Sequence, residues 1–439
     1  MQRIYEDYAY SDEARAECIW PLPDRAWPSV EGELTTEVAI VGGGYTGLSA
    51  ALHLAQEGVS CTVLEAHVPG WGASGRNGGF CMGGGDKAGP SAIARRFGET
   101  AARTYFQTQK ASVDLVAQIL DTHGIDADTH SKGELLLAHR PQAVAALHQE
   151  ADDWTSLGET PRFIPKSALC DEGMGGNFHA GLVLPLGFAL NPGKYVSGLA
   201  EAADNAGADI YTNSPVKNIG QENGRYVLTT PKGLVTARKL IMATNGYSSD
   251  DLPNWLRGRY LPVQSNIIVT RPLTDDEIAQ QGWHTDFMAY DSRNLLHYFR
   301  LLPDRRFLLG MRGNIAATPT KQDDMRARTA RDLAQMFPAW KKVETPYFWS
   351  GLISMSRDLL PYIGPLGGLG NAWAGMNYHG NGVSVATWAG QQLARMAMGQ
   401  PAGSDVHASP LARFPFAGLR RSYLRPAFWA YRLKDGPAP

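Results

Sequence analysis

Glu37 to Val41, EVAIV, is a short apolar run rich in β-branched residues, the pattern of a strand covered on both faces. Three glycines follow it. From Tyr45 to Gly58 the period changes: Leu48, Ala51, Leu52 and Ala55 recur at helical spacing, and Gly58 closes the helix. SCTVLE then returns as a second strand ending at Glu65. Further on, helical patterns in YFQTQKASVDLVAQIL and AVAALHQEADDW flank a strand-like GELLLA. LNPGKYVSGLAEAADNAGADIYTNSPV opens with an asparagine N-cap and a proline and closes at Gly207 before a new strand. KLIMATNGY, Lys239 to Tyr247, is an apolar strand that ends in Asn245 and Gly246, and NLLHYFRLLPDRRFLLGMRGN reads as a hairpin around Pro303 and Asp304. SVATWAGQQLARMAM is helical in period. No internal repeat or low-complexity segment is visible.

The chain has 439 residues, enough for two or three lobes. Its net charge of −2 leaves no basic footprint, so neither nucleic acid nor an anionic membrane is an expected partner. The four cysteines, Cys18, Cys61, Cys81 and Cys170, have irregular spacings that argue against a disulfide framework or a zinc site, so no metal is expected. The first residues, MQRIYEDYAYSDEARAEC, lack the basic start and apolar run of a signal peptide, and a cytoplasmic location is expected. The longest apolar stretch, Val38 to Leu54, is broken by glycines and is too interrupted for a membrane helix.

The strand–turn–helix–strand unit carries G-x-G-x-x-G at Gly42, Gly44 and Gly47, with Glu65 about 20 residues later, the context that makes this motif a dinucleotide site. Gly42 permits the tight turn, Gly44 lets backbone approach a pyrophosphate, and Gly47 lets helix and strand pack closely. The helix N-terminus at Tyr45 and Thr46 receives the phosphates. Glu65 would accept from a ribose hydroxyl and repel a 2′-phosphate. NAD and FAD share this unit.

A second glycine-rich loop, GWGASGRNGG, Gly70 to Gly79, lies just past the second strand, on the same sheet edge. It can wrap a pyrophosphate from its other side and run beneath a flavin ring. With VGGGYTGLSAALHLAQEG, WSGLISMSRDLLPYIG, GMNYHGNGVSVATWAG and LRPAFWAYRLKD, it makes the chain resemble the D-amino-acid-oxidase-like superfamily of FAD-dependent oxidoreductases, nearest to the bacterial γ-glutamylputrescine oxidase-like group. The resemblance implies an α/β fold: a Rossmann-like FAD-binding domain (36–85, 181–255 and 346–403) interleaved with an α+β substrate domain on an antiparallel sheet (86–180 and 256–345). An N-terminal arm (1–35) and a C-terminal tail (404–439) complete the expected organisation. The tail reads as a packed terminal helix, with a partner subunit or a membrane surface as the other readings.

The resemblance also implies that non-covalent FAD is held by Gly42, Gly44, Gly47, Glu65, Ala73, Ser74 and Arg76, with adenine at Val216 and the flavin beside the turn Gly380, Asn381, Gly382, Val383. Tyr45, Thr46, Ala66, Gly72, Asn77, Gly78, Gly79, Asn245 and Gly246 complete the expected cofactor set. A covalent flavin anchor is not expected, because the cysteine position of sarcosine-type relatives corresponds to about Gly351 and no histidine lies in GWGASGRNGG. His379 is expected beside the flavin, polarising the ring or helping to deprotonate the amine, or else capping the turn. Tyr298, His297 and Trp349 are candidates for the cavity wall.

Amino-acid oxidases of the superfamily resemble one another in W-x-G-L-R-P-x-x-x-D-x-x-P-x-I-G, whose arginine clamps the substrate carboxylate. Here WSGLISMSRDLLPYIG matches at Trp349, Gly351, Leu352, Asp358, Pro361, Ile363 and Gly364, but Ile353 replaces the arginine. A carboxylate buried against isoleucine would cost several kcal/mol. The expected substrate is therefore a small amine without a carboxylate beside the reacting carbon. Arg312 is either a substitute clamp or a solvated hairpin arginine. Leu308 stands where sarcosine oxidases have an oxygen-activating lysine. The expected reaction is hydride transfer from the carbon beside a neutral amine, giving an imine and then an aldehyde plus ammonia or a smaller amine. O2 is the favoured acceptor, or another acceptor in its place. The alternatives are a sarcosine-, glycine- or D-amino-acid-type oxidase or dehydrogenase, an NAD-dependent dehydrogenase, and a flavin-bearing assembly protein without turnover.

Overall fold

The computed structural model of the chain describes residues 1–83 and 88–436. Two eight-stranded sheets organise it. The first has the order Tyr362–Pro365, Ala372–Met376, Gly233–Met242, Gly32–Val41, Cys61–Leu64, Asp209–Tyr211, with the hairpin Asn218–Glu222 and Arg225–Thr229 added beside Gly233–Met242. Its four central pairings are parallel. Such pairings need crossovers, and helices Tyr45–Gln56 and Pro192–Asn205 supply them. Asn191 caps the second of these, its Oδ1 accepting from the Gly193 and Lys194 amides. The apolar runs read as two-faced: Val38 and Ile40 join Leu48, Ala51 and Leu52 in one core, while Ala39 and Val41 face another with Leu240 and Met242. Each fully buried leucine or valine contributes about 1.5–3 kcal/mol.

The second sheet runs Tyr347–Met355, Leu261–Val269, Phe307–Arg312, His297–Leu301, Met288–Asp291, Glu134–Leu137, Ala180–Leu184, Arg162–Pro165. All its pairings are antiparallel except that of Met288–Asp291 with Glu134–Leu137. The hairpin around Pro303 is present, with Tyr298 opposite Gly310.

Two of the expected boundaries fall inside strands, and a third assigns a strand to the other sheet. Gly32–Val41 starts before residue 36, Ala180–Leu184 crosses residue 181 within the antiparallel sheet, and Tyr347–Met355 pairs with Leu261–Val269 rather than with the parallel sheet. The cause is that the chain changes sheets at strand ends, whereas composition shifts mark loops. The boundary at 85/86 lies outside the described residues.

The arm before residue 32 is tied down at many points. Tyr5, Tyr10, Trp20 and Trp27 are buried. The tail ends in the helix Leu424–Asp435, whose Leu424 and Phe428 pack on Leu261, Val263 and Leu295. Trp429 and Leu433 on the same helix are exposed. Among the described residues no helix is long and apolar enough to cross a membrane.

Candidate active site

The site is one elongated cavity at the carboxyl ends of the parallel strands, where such sheets bind ligands. At the first turn Gly42 has φ +109°, and a Cβ there would stand 2.7 Å from the Ala243 carbonyl oxygen. A Cβ on Gly47 would stand 1.9 Å from the Gly42 oxygen, so only glycine lets this helix sit on its strand. The helix starts at Tyr45 with no side-chain cap from Gly44, which leaves its N-terminal amides toward the cavity. Ser74, from the second loop, accepts from the Tyr45 amide at 3.0 Å, joining the two glycine loops at the place a pyrophosphate would lie.

Glu65 closes the next part. Its Oε2 accepts from the Gly43 amide at 2.7 Å and its Oε1 from the His67 amide at 2.9 Å. Burial raises its pKa, while the amides oppose that rise. Each carboxylate oxygen keeps a lone pair for a ribose hydroxyl. Val216 lines this end.

The second loop is held from within and from behind. Asn77 Nδ2 donates to the Ala73 and Ser74 carbonyls while its Oδ1 accepts from the Gly79 amide. Arg76 spends its guanidinium on the Trp71 and Ser350 carbonyls and stacks on the Trp71 ring, 4.6 Å away. These bonds fix the loop, and Arg76 also lines the cavity. The N-terminal arm adds four ties: Trp71 Nε1 donates to Asp12, Arg15 to the Trp71 carbonyl, Trp20 Nε1 to the Asn77 carbonyl and Cys18 Sγ to the Gly75 carbonyl. Arg3 and Tyr10 reach the cavity wall itself.

At the opposite end Ile353, Tyr298, Arg312 and the turn 379–383 surround the space left for a ring and a substrate. Tyr298 Oη shares a hydrogen bond with Ser265 Oγ at 2.8 Å, and burial pushes its pKa up to about 12. Its ring crosses directly over Gly310, where a Cβ would stand 2.1 Å from Tyr298 Cζ. Arg312 is only 8% exposed, so it is no solvated hairpin arginine. Its Nη2 donates to the His379 carbonyl, and burial lowers its pKa to about 10, which leaves it charged at neutral pH. No carboxylate pairs with it among the described residues.

His379 lines the cavity, but its Nε2 accepts from the Ser356 amide at 3.4 Å and meets Ser356 Oγ at 3.2 Å. Its backbone, at φ +56°, makes the turn.

Eighteen of the expected cofactor positions line the cavity; Gly47, Gly79 and Gly246 do not. Gly79 and Gly246 are instead close-packing points, against the Leu190 and Leu352 carbonyls. His297 and Trp349 are also not cavity walls. His297 lies on the strand face opposite Tyr298, between Asp291 and Asp332. Trp349 packs on Trp20 and donates to the Arg76 carbonyl, supporting the loop from behind. Leu308 does not line the cavity and packs in the cluster of Trp20 and Trp349. Arg3, Tyr10, Trp71, Tyr247 and Tyr378 line the cavity without having been singled out. Trp71, Tyr247 and Tyr378 lie inside stretches that the sequence marked; Arg3 and Tyr10 do not.

The residues fit FAD: two glycine turns joined by Ser74, an acid at the ribose position, and a cavity that continues past them to an apolar end. Comparison with known proteins agrees. Residues 37–396 match the DAO family, described as FAD dependent oxidoreductase. The γ-glutamylputrescine oxidoreductase of Escherichia coli (strain K12) is 31% identical over 92% of this chain and 93% of its own. A probable oxidoreductase of Rhizobium meliloti (strain 1021) is 29% identical over 88% of each chain. The fold is that of glycine oxidase from Geobacillus kaustophilus, with a TM-score of 0.72 at 21% identity over 87% of this chain and 99% of that one. L-proline dehydrogenase from P. horikoshii superposes with a TM-score of 0.71 at 18% identity, covering 84% and 95%. From the match over most of its length and the cavity that match predicts, the chain belongs to the DAO family of FAD-dependent oxidoreductases and is an FAD enzyme acting on amines.

Proposed function

We propose that the enzyme oxidises the C–N bond of a γ-glutamylputrescine-like or related amine that carries no carboxylate on the reacting carbon, forming an imine that water converts to aldehyde and ammonia. The observation that carries this reading is Ile353 on the cavity wall, a side chain that offers a carboxylate no partner. When bound, FAD supplies the two-electron acceptor. The chain's residues position and exclude water: Tyr298, Phe80, Met82 and Ile267 make an apolar lining, and the Arg312 charge disfavours a protonated amine nearby. An amine made neutral in this way is the reactive form. His379, tied to Ser356, holds the turn.

A second reading has its own observation. Arg312 is a buried cation on the wall without a carboxylate partner among the described residues, and it would suit an α-amino acid. Turnover of a matched pair, putrescine and its α-carboxylated counterpart ornithine, each as the γ-glutamyl conjugate, separates the two. The amine is expected to be preferred by at least about 30-fold, the worth of a lost charge-assisted pair, with an aldehyde as product. Preference for the α-carboxylated compound, with a keto acid as product, would move the clamp to Arg312.

FAD is held here without a covalent bond. A side chain at Gly351 would meet Arg76 Cδ at 2.9 Å, and none of the four cysteines lines the cavity. Acid precipitation is expected to release all the flavin into the supernatant; yellow precipitate would contradict it.

A further inference from the structure

Successive residues before and within the strand His297–Leu301 point to two different spaces. Leu296 and Tyr298 line the flavin cavity, whereas Leu295 and His297 line a second cavity of about 480 Å³ on the other side. Arg293, Arg328 and Arg432 converge on this second cavity from a turn and from two helices, Pro319–Met336 and Leu424–Asp435.

Its carboxylates already have partners. Asp291, fully buried behind the wall, accepts from Arg293 Nη1 and from His297 Nδ1. Asp332 takes His297 Nε2 at 3.1 Å and lies 3.8 Å from Arg328 Nε. Asp435 accepts from the Asn294 amide, the Asn294 side chain and the Leu295 amide. Two cationic side chains keep donors without a carboxylate among the described residues. Arg293 Nη2 is buried without an acceptor on a side chain only 5% exposed. Arg432 has no ion pair among the described residues, and it lies near enough to Arg328 that, after burial, its charge contributes to lowering the Arg328 pKa. Between the carboxylate partners of Arg293 and Arg328 lies His297, whose pKa burial lowers and Asp291 and Asp332 raise, with a net rise.

Two arginines held near each other repel. A ligand with several oxygens relieves that repulsion. We propose that this cavity binds a small oxyanion, of carboxylate or phosphate kind, bridging Arg328 and Arg432 beside the buried Arg293 guanidinium. The site is separate from the flavin cavity and does not depend on the identity of the amine.

The test is calorimetric titration of the flavin-loaded enzyme with phosphate, with succinate and with chloride at constant ionic strength. Saturable one-site binding is expected for phosphate or succinate and not for chloride, and the tighter of the two identifies the oxyanion. Arg432→Gln, at an exposed position, should weaken binding by about tenfold, and Arg293→Lys, which keeps the charge but loses the fork, by a similar factor. No saturation beyond the chloride response, or an affinity unchanged in both variants, would overturn the proposal.

Discussion

Gly44→Val is expected to give a folded, colourless protein. The backbone at Gly44 has φ −93° and ψ −173°, an extended conformation that valine adopts readily, so folding has no reason to fail. The space does not tolerate a side chain. A Cβ there would stand 2.8 Å from Ser74 Oγ, the acceptor for the Tyr45 amide. The two valine methyls would project further, over the helix N-terminus that receives the phosphates. Losing two charge-assisted hydrogen bonds to a pyrophosphate removes about 3–6 kcal/mol, or roughly 10²- to 10⁴-fold in FAD affinity. Flavin absorbance of the purified variant and FAD titration of its apoprotein measure this. Normal flavin content would mean that the pyrophosphate lies elsewhere.

Ile353→Arg should produce the second largest effect. Ile353 sits on Tyr347–Met355, opposite Val263, and shares the cavity with Arg312. A second guanidinium there would raise the cost of a protonated amine and crowd an already buried cation. At an effective dielectric of about 20, unit charges 4 Å apart interact by about 4 kcal/mol. Even a third of that gives a tenfold fall in kcat/KM for the amine. The same change creates the fork that clamps a carboxylate, worth roughly 2–4 kcal/mol if the cavity accepts the geometry. Activity on glycine or a D-amino acid is therefore expected to rise as amine activity falls. Steady-state kinetics on both classes check it, and an unchanged kcat/KM for the amine would show that Ile353 does not face the substrate.

The nucleotide half of the site was legible because its chemistry is local. Gly42, Gly44, Gly47 and Glu65 lie within one strand–helix–strand unit, where period and spacing fix geometry. The substrate half comes from strands distant in sequence, and there the reading failed where it depended on which face, or how far along a strand, a side chain lies. His297 and Tyr298 are neighbours in sequence on opposite faces. Leu308 shares a strand with Arg312 yet does not line the cavity and packs with Trp20. Gly79 and Gly246 look like loop glycines made for a ligand, but they serve close packing against carbonyls. The arm was visible as an aromatic, proline-rich segment; its hydrogen bonds to Trp71, Gly75 and Asn77 were not, because no local pattern encodes a contact across 50 residues or more.

The central claim is that an amine without an adjacent carboxylate delivers its electrons to FAD in this cavity. Mixing the enzyme anaerobically with γ-glutamylputrescine, and separately with glycine, sarcosine and D-alanine, while following the flavin absorbance, tests it most directly. The account predicts rapid, complete bleaching by the amine and slow or no bleaching by the amino acids. Bleaching by an amino acid and none by the amine would contradict it.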